Sequence, residues 1–344
     1  FQHDVNMAYV CAAGTTKHIA IGFNSSRHVE AATTMYDAIL GGDGRFRARP
    51  FCSVGTCAVV SPLRFGEENC EVALAAARAG FPVNMIIAGQ AGATAPAALA
   101  GALVQTTAET LAGLILVNLA KPGHPVIFSN WPFVSDLRTG AFSGGGGEEA
   151  VLTAASAQIS RFYDLPAGVG AGMADAKLPD NQAGYEKGIS TALAGLAGAN
   201  LIYESAGMLA SLMACSFEAF VIDNDMLGAA LRAVRGIEVN DDTLSFEVIR
   251  AAVEGPGHYL GHEQTLSLMK TEFVYPRVGD RSGPDEWQAA GGQDIRVRAR
   301  ERVREILGAH YPNYIEPAID AELRRRFPIL VPPEAMQPGN ERWP

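Results

Sequence analysis

The chain has 344 residues, 48% hydrophobic and 19% charged, with a formal net charge of −10. That is enough for a large α/β domain with an appendage and a sizeable core, and it excludes bulk disorder. The acidic balance argues against nucleic acid as a main partner, because phosphate binding wants a basic face, and it suits a cationic or neutral small ligand. The five cysteines (Cys11, Cys52, Cys57, Cys70, Cys215) are scattered without a C-x-x-C pair. A disulfide framework or structural zinc site is not expected, and a reducing, cytoplasmic setting is. The apolar runs are Ala-rich and read as shorter than the ~18 residues a membrane span needs. No secretory signal precedes the fold. The chain opens at Phe1 rather than Met, which is expected of a fragment that has lost an N-terminal portion.

In chain order, Phe1–Gln2 reads as strand and Val5–Thr16 as a helix-rich loop. Lys17–Phe23 predicts a strand and Ser25–Leu40 a helix. Phe51–Val54 is the next strand and Phe65–Ala79 a helix, with Cys70, Ala73, Leu74 and Ala77 on one face. Gly80 ends it. Pro82–Ala88 is an unbroken apolar strand, as expected when both faces are covered. Gly89–Pro96 then leads into a long helix to about Leu119, with Thr94 as N-cap and Pro96 in its first turn. Pro125–Asn130 predicts a strand, followed by a loop carrying Trp131, Phe133, Asp136, Arg138 and Phe142. Gly144–Gly147 reads as a flexible hinge, since Glu148 and Glu149 would repel a bound phosphate. Glu148–Tyr163 is a helix whose acidic first turn suits the dipole.

The stretch Val169–Lys187 follows (Val-Gly-Ala-Gly-Met-Ala-Asp-Ala-Lys-Leu-Pro-Asp-Asn-Gln-Ala-Gly-Tyr-Glu-Lys). It ends a short strand, Ala167–Ala171. It then sets Asp175, Lys177, Asp180, Asn181 and Gln182 in a Gly-rich loop before a helix begins near Gln182, capped by Asp180 or Asn181. Strand, polar loop, helix is how α/β enzymes place functional groups at the carboxyl end of a sheet; a connecting loop with good capping chemistry would carry the same residues. Asn200–Glu204 predicts a strand, Met208–Cys215 a short helix, and Phe217–Ile222 a strand, with a helix from Asp223 to Arg235. About eight strand-and-helix units favour a closed (β/α)8 barrel over an open doubly wound sheet. The expected division is a barrel over 1–236 and a C-terminal helical extension over 237–344. There Asp242–Glu254 and about Asp294–Leu307 are helices, and the arginines from Arg296 to Arg304 are a solvated face.

No dinucleotide fingerprint, phosphate loop or G-x-S-x-G occurs. His258 and His262 lie four apart with Glu263 next. A helix would put both imidazoles on one face for a metal, but Gly257 and Gly261 interrupt it and no third ligand is evident. No metal is expected; the preferred reading is a buried histidine on the barrel rim. The strand ends collect Ser53, Gln90, Asn130, Trp131, the 175–182 loop, Tyr203, Glu204 and Asp223. Amides, aromatics and carboxylates without a Ser/His or Cys/His pair are unlike a hydrolase. They suit a cation that cannot donate hydrogen bonds, which a ring face attracts by ~0.5–2 kcal/mol. Rim packing is the alternative for Trp131, Phe133 and Tyr203.

Several stretches resemble the trimethylamine methyltransferase family, more closely the branch without pyrrolysine that includes glycine betaine methyltransferase. They are Ala12–His18, Gly89–Pro96, Asp136–Ala141, Asp175–Lys177 with Asp180–Glu186, and Gly257–His262, in order along the chain. The resemblance implies a (β/α)8 barrel that passes a methyl group from an amine to the Co(I) of a cobalamin carried by a separate corrinoid protein, with no cofactor held tightly by this chain. It places the pyrrolysine of trimethylamine enzymes near Asn181–Ala183, where ordinary residues stand here. A quaternary amine such as glycine betaine is therefore expected. Asn181 and Gln182 would orient it, Trp131, Phe133 and Tyr203 would wall the cation, Glu204 would balance its charge, and Gln90 would line the site. Two rival readings are a barrel lyase or aldolase using Lys177 as a Schiff base, and a betaine-binding protein without catalysis. No membrane contact is expected, and the Ala/Gly-rich helices leave room for a homo-oligomer.

Overall fold

A computed structural model describes residues 1–338 of the chain. Helix α1 (Gln2–Gly14) leads into strand β1 (Ile19–Ile21), and helix α2 (Arg27–Ile39) follows. Then come β2 (Cys52–Thr56), α3 (Glu67–Ala79), β3 (Val83–Ile87), α4 (Leu99–Ala120), β4 (Val126–Asn130) and α5 (Gly147–Phe162). The alternation continues through β5 (Gly168–Gly170), α6 (Asn181–Leu196), β6 (Leu201–Tyr203) and α7 (Phe217–Arg235). Strands β1, β2, β3 and β4 pair in that order, all parallel. A parallel bridge from Phe128 to Ala167 carries the order on to the parallel pair β5 and β6. Sequential parallel order with a helix after each strand is the product of repeated βαβ units. The molecule is thus a mixed α/β protein built on a parallel sheet.

Side chains alternate across each strand. Ile19, Ile21, Cys52, Val54, Val83, Met85 and Val126 join one core with α1, α2 and α3. Its centre is aromatic: Tyr36 lies 5.2 Å from Phe46 and 4.8 Å from Phe51, and Phe46 lies 4.4 Å from Phe81. Each such fully buried ring contributes about 1.5–3 kcal/mol by burial. On the opposite alternation stand Ser53, Gly55, Asn84, Ile86, Ser129, Gly168 and Gly170. His18 Nε2 and Ser53 Oγ are 3.0 Å apart, and Asn84 Nδ2 donates to the same hydroxyl at 3.0 Å. One alternation is therefore greasy and helix-covered, and the other is small and polar.

Several expectations need correcting. Phe1–Gln2 is not strand: Gln2 opens α1, and Val5, Ala8, Tyr9, Ala12 and Ala13 bury its face at helical spacing. Phe217–Ile222 is the first part of α7, capped by Ser216 Oγ, which accepts from Ala219 N. Its apolar run had read as strand because burial on a helix of this kind also tolerates consecutive apolar residues. Met208–Cys215 is a hairpin, Met208–Leu209 against Ala214–Cys215, and not a helix. Thr94 does not cap α4. Its hydroxyl accepts from Gln90 N at 2.9 Å within a turn, and α4 starts later, after Ala98. Gly144–Gly147 is a packed loop and no hinge. A Cβ on Gly145 would come within 2.6 Å of the Glu186 carboxyl carbon, an approach only glycine permits. Among the described residues α4 is also the one helix long and apolar enough to cross a membrane by length and composition. It nevertheless buries Thr106, Glu109 and Thr110, and the Glu109 carboxylate accepts from Ser61 Oγ and Leu63 N.

Beyond Gly236 the chain is helical. Two short helices, Asp241–Leu244 and Phe246–Glu254, precede a turn through His258. Helix α8 (Ile295–Ala309), capped by Asp294, packs along α7, and α9 (Pro317–Arg326) returns to α2. Helix α9 is also tied to α1 through Tyr9, whose hydroxyl donates to Asp320 at 2.5 Å while Arg324 lies over its ring.

Candidate functional site

The aromatic residues at the carboxyl ends of the strands come together. Trp131 directly follows β4, and its N–H donates to Ile87 O at 2.8 Å. That prolongs the β3–β4 register by one residue. Gln90 then pairs with Phe133, so Gln90, Trp131 and Phe133 are placed by backbone pairing alone. Tyr203 ends β6. Its ring lies 5.2 Å from Trp131, and Phe133 lies 6.4 Å from Trp131 on another side. Phe142 meets Phe133 edge-on at 4.9 Å. Met173, Ile86 and Leu212 complete the cluster. Trp131 is 7% and Phe133 4% exposed, so the group is closed over. The Trp131 Nε1 proton is buried with no acceptor among the described residues.

Glu204 stands next to Tyr203 at φ +63°, a left-handed backbone that a glutamate rarely adopts. It is half-buried, and burial pushes its carboxyl above the usual range. Burial likewise pushes the Tyr203 phenol up to about 12.

Around the aromatic group lies a polar scaffold. Asp175 joins its own loop to two others. It accepts from Ser143 Oγ at 2.5 Å and Gly144 N at 2.8 Å, and from Ser211 Oγ at 2.7 Å. Burial alone would raise this carboxyl; the hydrogen bonds from Ser143, Ser211 and the loop amides outweigh it and hold it below the ordinary range. Glu186 accepts from Asp175 N at 2.8 Å and Ala176 N at 3.2 Å, and Gln182 Nε2 donates to it at 2.8 Å. Asp180 caps α6, taking Gln182 N and Ala183 N. Gln90 Oε1 accepts from Ser135 Oγ at 2.9 Å.

Asn181 and Gln182, the first residues of α6, are exposed and border two cavities. One, of about 880 Å³, lies between α6, α7 and α8 and reaches Lys187, Asp223 and Arg296. The other, of about 600 Å³, runs from Gln182 past Asp175 and Glu186 to Ser135 and Ala91. Gln182 thus faces the same space as the partner of Gln90, while Asn181 borders the outer cavity.

Other expected residues fall elsewhere. Asn130 lies toward α4, donating to Thr107 Oγ1 at 3.4 Å. Asp223 is no strand end; it is buried on α7 in an ion pair with Lys187 at 2.8 Å. Lys177 is exposed, its ammonium on Asp175 O at 2.7 Å, without the apolar pocket a Schiff-base lysine needs. His258 is exposed and His262 caps the short helix Glu263–Leu268, so neither is a buried rim histidine. Among the described residues no three His, Cys, Asp or Glu side chains are grouped to hold a metal.

Sequence reasoning missed Glu149, Glu186 and Leu212. The sequence reads Glu149 only as an acid in the first turn of a helix, favourable for the dipole. It is fully buried, with Oε1 accepting from Thr153 Oγ1 at 2.9 Å and Oε2 without a partner among the described residues. Burial pushes its carboxyl up to about 8, partly opposed by Thr153 and reinforced by Asp175. Its position in the first turn gives no sign of which way it faces.

The comparisons with known proteins agree with one another. The family model described as trimethylamine methyltransferase matches residues 2–327. The trimethylamine methyltransferase MttB of Desulfitobacterium hafniense is 36% identical over 320 residues, covering 93% of this chain and 64% of that protein. A glycine betaine methyltransferase of another Desulfitobacterium hafniense strain is 33% identical over 337 residues, covering 98% of this chain and 69% of that protein. The trimethylamine methyltransferase MttB1 of Methanosarcina mazei is 35% identical over 329 residues, with 95% and 65% covered. The chain spans about two thirds of the length of these curated relatives. With a family model matched along nearly the whole chain and relatives above 30% identity, the chain belongs to the trimethylamine methyltransferase family.

Proposed function

We propose that the protein takes part in methyl transfer from a quaternary amine of the glycine betaine type to the Co(I) of a corrinoid carried by a partner protein. The observation that carries this reading is the packed group Trp131, Phe133 and Tyr203, with the half-buried Glu204 next to Tyr203 in the chain, in a family that contains a glycine betaine methyltransferase. A quaternary ammonium offers no hydrogen bond, so ring faces and one carboxylate are the chemistry that fits it, at ~0.5–2 kcal/mol per ring. The corrinoid supplies the nucleophile. The N–CH3 bond breaks with its electron pair left on nitrogen, and the amine departs neutral without a proton. Because no proton is transferred, the reading needs no acid–base pair, and it gives no catalytic part to the His18 and Ser53 pair on the polar side of the sheet.

The residues of this chain then hold, orient and dry the substrate. Trp131, Phe133 and Tyr203 wall the cation, and Glu204 balances its charge. Gln182, fixed by Glu186, and Gln90, fixed by Ser135, address the polar end of the substrate, and Asn181, next to Gln182 at the start of α6, orients it from the outer cavity. Holding a methyl group in line with its acceptor and away from water supplies several kcal/mol of the barrier. The six parallel strands in chain order support part of a (β/α)8 barrel over 1–236 with the helices of the 237–344 extension docked outside it, and the five free cysteines suit a cytoplasmic setting. The exposure of Lys177 weighs against a Schiff-base lyase.

The test is a panel of quaternary amines with reduced cobalamin, read by the colour change from Co(I) to methyl-Co(III). Glycine betaine or a relative is expected to react, and Trp131→Ala to slow it by tenfold or more. A panel in which no quaternary amine is demethylated refutes the reading.

A further inference from the structure

Trp131 and Phe133 are almost wholly covered, so a ligand reaches their faces only when something withdraws. The cluster is contributed mostly by strands and the loops that directly extend them. Leu212 is different: it comes from the tip of a surface hairpin whose stem is two residue pairs, Met208 with Cys215 and Leu209 with Ala214. We propose that this tip, Ala210–Met213, is a lid over the aromatic group, plugged by Leu212 and latched by the Asp175 carboxylate on Ser211. The proposal rests on that group being the substrate site.

Three successive residues without glycine, Ala210, Ser211 and Leu212, have φ of +50°, +54° and +71°. The left-handed region disfavours each L-residue by roughly fivefold to thirtyfold in an equilibrium constant. A run of three persists only where other bonds hold it. Those bonds all reach one short loop: Ala210 N donates to Ala176 O at 2.8 Å, Ser211 N to Ala174 O at 2.9 Å, and Ser211 Oγ to Asp175 Oδ1 at 2.7 Å. Outside them the tip is bare, with Met213 86% exposed. The stem is firm, because Leu209 is buried among Ala174, Ala176, Ala183 and Ala219. At its base Gly207 N donates to Asp223 at 2.7 Å, and Ser216 N to Gly207 O at 3.1 Å. The tip is therefore a two-state element. Closed, it gains three hydrogen bonds and the Leu212 contact. Open, it relaxes its backbone and loses both. Asp175 also holds Ser143 and Gly144, so the latch is anchored to the loop beneath the site.

Two substitutions push the lid in opposite directions. Ser211→Ala removes the latch and leaves the plug; hydrogen exchange at the Ala210 and Ser211 amides is expected to quicken tenfold or more. Ala210→Gly relieves the closed backbone, and exchange there is expected to slow about fivefold or more. In a background with Trp287→Phe and Trp343→Phe, acrylamide quenching of Trp131 should rise with Ser211→Ala and fall with Ala210→Gly. Association of glycine betaine, followed by the same fluorescence, should quicken and slow in the same order. Unchanged exchange and quenching in Ser211→Ala overturn the lid. A wild-type chain that binds no quaternary amine, yet has exchange and quenching moving as stated, overturns the substrate reading and supports the lid. Amine binding with an association rate indifferent to both substitutions overturns the lid and leaves the substrate reading standing.

Discussion

Replacing Lys187 by methionine tests how the rim is held. Lys187 and Asp223 are buried, with side chains 1% and 6% exposed and 2.8 Å between ammonium and carboxylate. Asp223 also accepts from Gly207 N, at the base of the hairpin. Methionine keeps much of the lysine stem and removes only the charge and its donors. A carboxylate is then left in the interior with one N–H, and breaking a buried pair on one side costs about 3–5 kcal/mol. At roughly 2–4 °C per kcal/mol for a large domain, the melting temperature should fall by about 6–20 °C. The sign with pH is fixed. Burial already raises the Asp223 carboxyl despite Lys187 and Gly207, and loss of Lys187 raises it further. A group whose pKa is higher folded than unfolded keeps its stability below the unfolded value, about 4, and loses it as pH climbs through the folded value. The deficit of Lys187→Met should thus be small near pH 4–5 and largest near pH 8. Asp223→Asn strands the ammonium instead and should also cost about 3–5 kcal/mol. The double variant Lys187→Met, Asp223→Leu should recover most of the loss, because well-packed apolar residues replace a buried pair at little cost. Thermal melts followed by circular dichroism at several pH values decide it. A deficit below about 1 kcal/mol, or one that is flat from pH 5 to 8, refutes the reasoning.

Other consequences are open to the same instruments. Gly145→Ala drives a methyl into the Glu186 carboxyl, which orients Gln182 and the Asp175 backbone; demethylation should drop by more than tenfold while the melting temperature moves by only a few degrees, and unchanged turnover would remove Glu186 from the site's support. Asp180→Ala strips the cap of α6 and should cost about 1 kcal/mol, with Asp180→Asn recovering most of it in urea unfolding. Glu149 titrates at about 8, against 4.5 ordinarily, so its contribution is whole below pH 4.5 and is lost as pH rises toward 8. Glu149→Gln should therefore gain on the wild type in melting temperature from pH 5 to 9, and a constant difference would show that the carboxyl is not held neutral.

Backbone chemistry was the legible part of the fold. Strands β2, β3 and β4 announced themselves as short apolar runs bounded by turn residues, and Asp180 declared the start of α6 because a carboxylate before a helical run is a strong cap. What failed had a common physical cause. Phe217–Ile222 carries consecutive apolar residues that a strand and a half-buried helix both accept, and Met208–Cys215 has too few residues for periodicity to speak. In the candidate site, the meeting of Trp131, Phe133 and Tyr203 followed from their places at strand ends. The burial of Glu149, the reach of Asp175 to Ser143 and Ser211, and the plug of Leu212 depend on how loops fold over the rim. Loop contacts join residues far apart in the chain, and no local pattern encodes them.

A ligand that cannot donate or accept a hydrogen bond at its reacting end has to be located by shape and field. Aromatic walls do this only if they do not move, and ring faces make no hydrogen bonds that would fix them. The polar residues beside the aromatic group supply that rigidity: Asp175 ties three loops, Glu186 fixes Gln182 and the Asp175 backbone, and Ser135 fixes Gln90. Their bonds run to one another and to backbone. Much of this polar chemistry holds loops in place, and Glu204, half-buried and at a strained backbone position next to Tyr203 in the chain, takes no part in it.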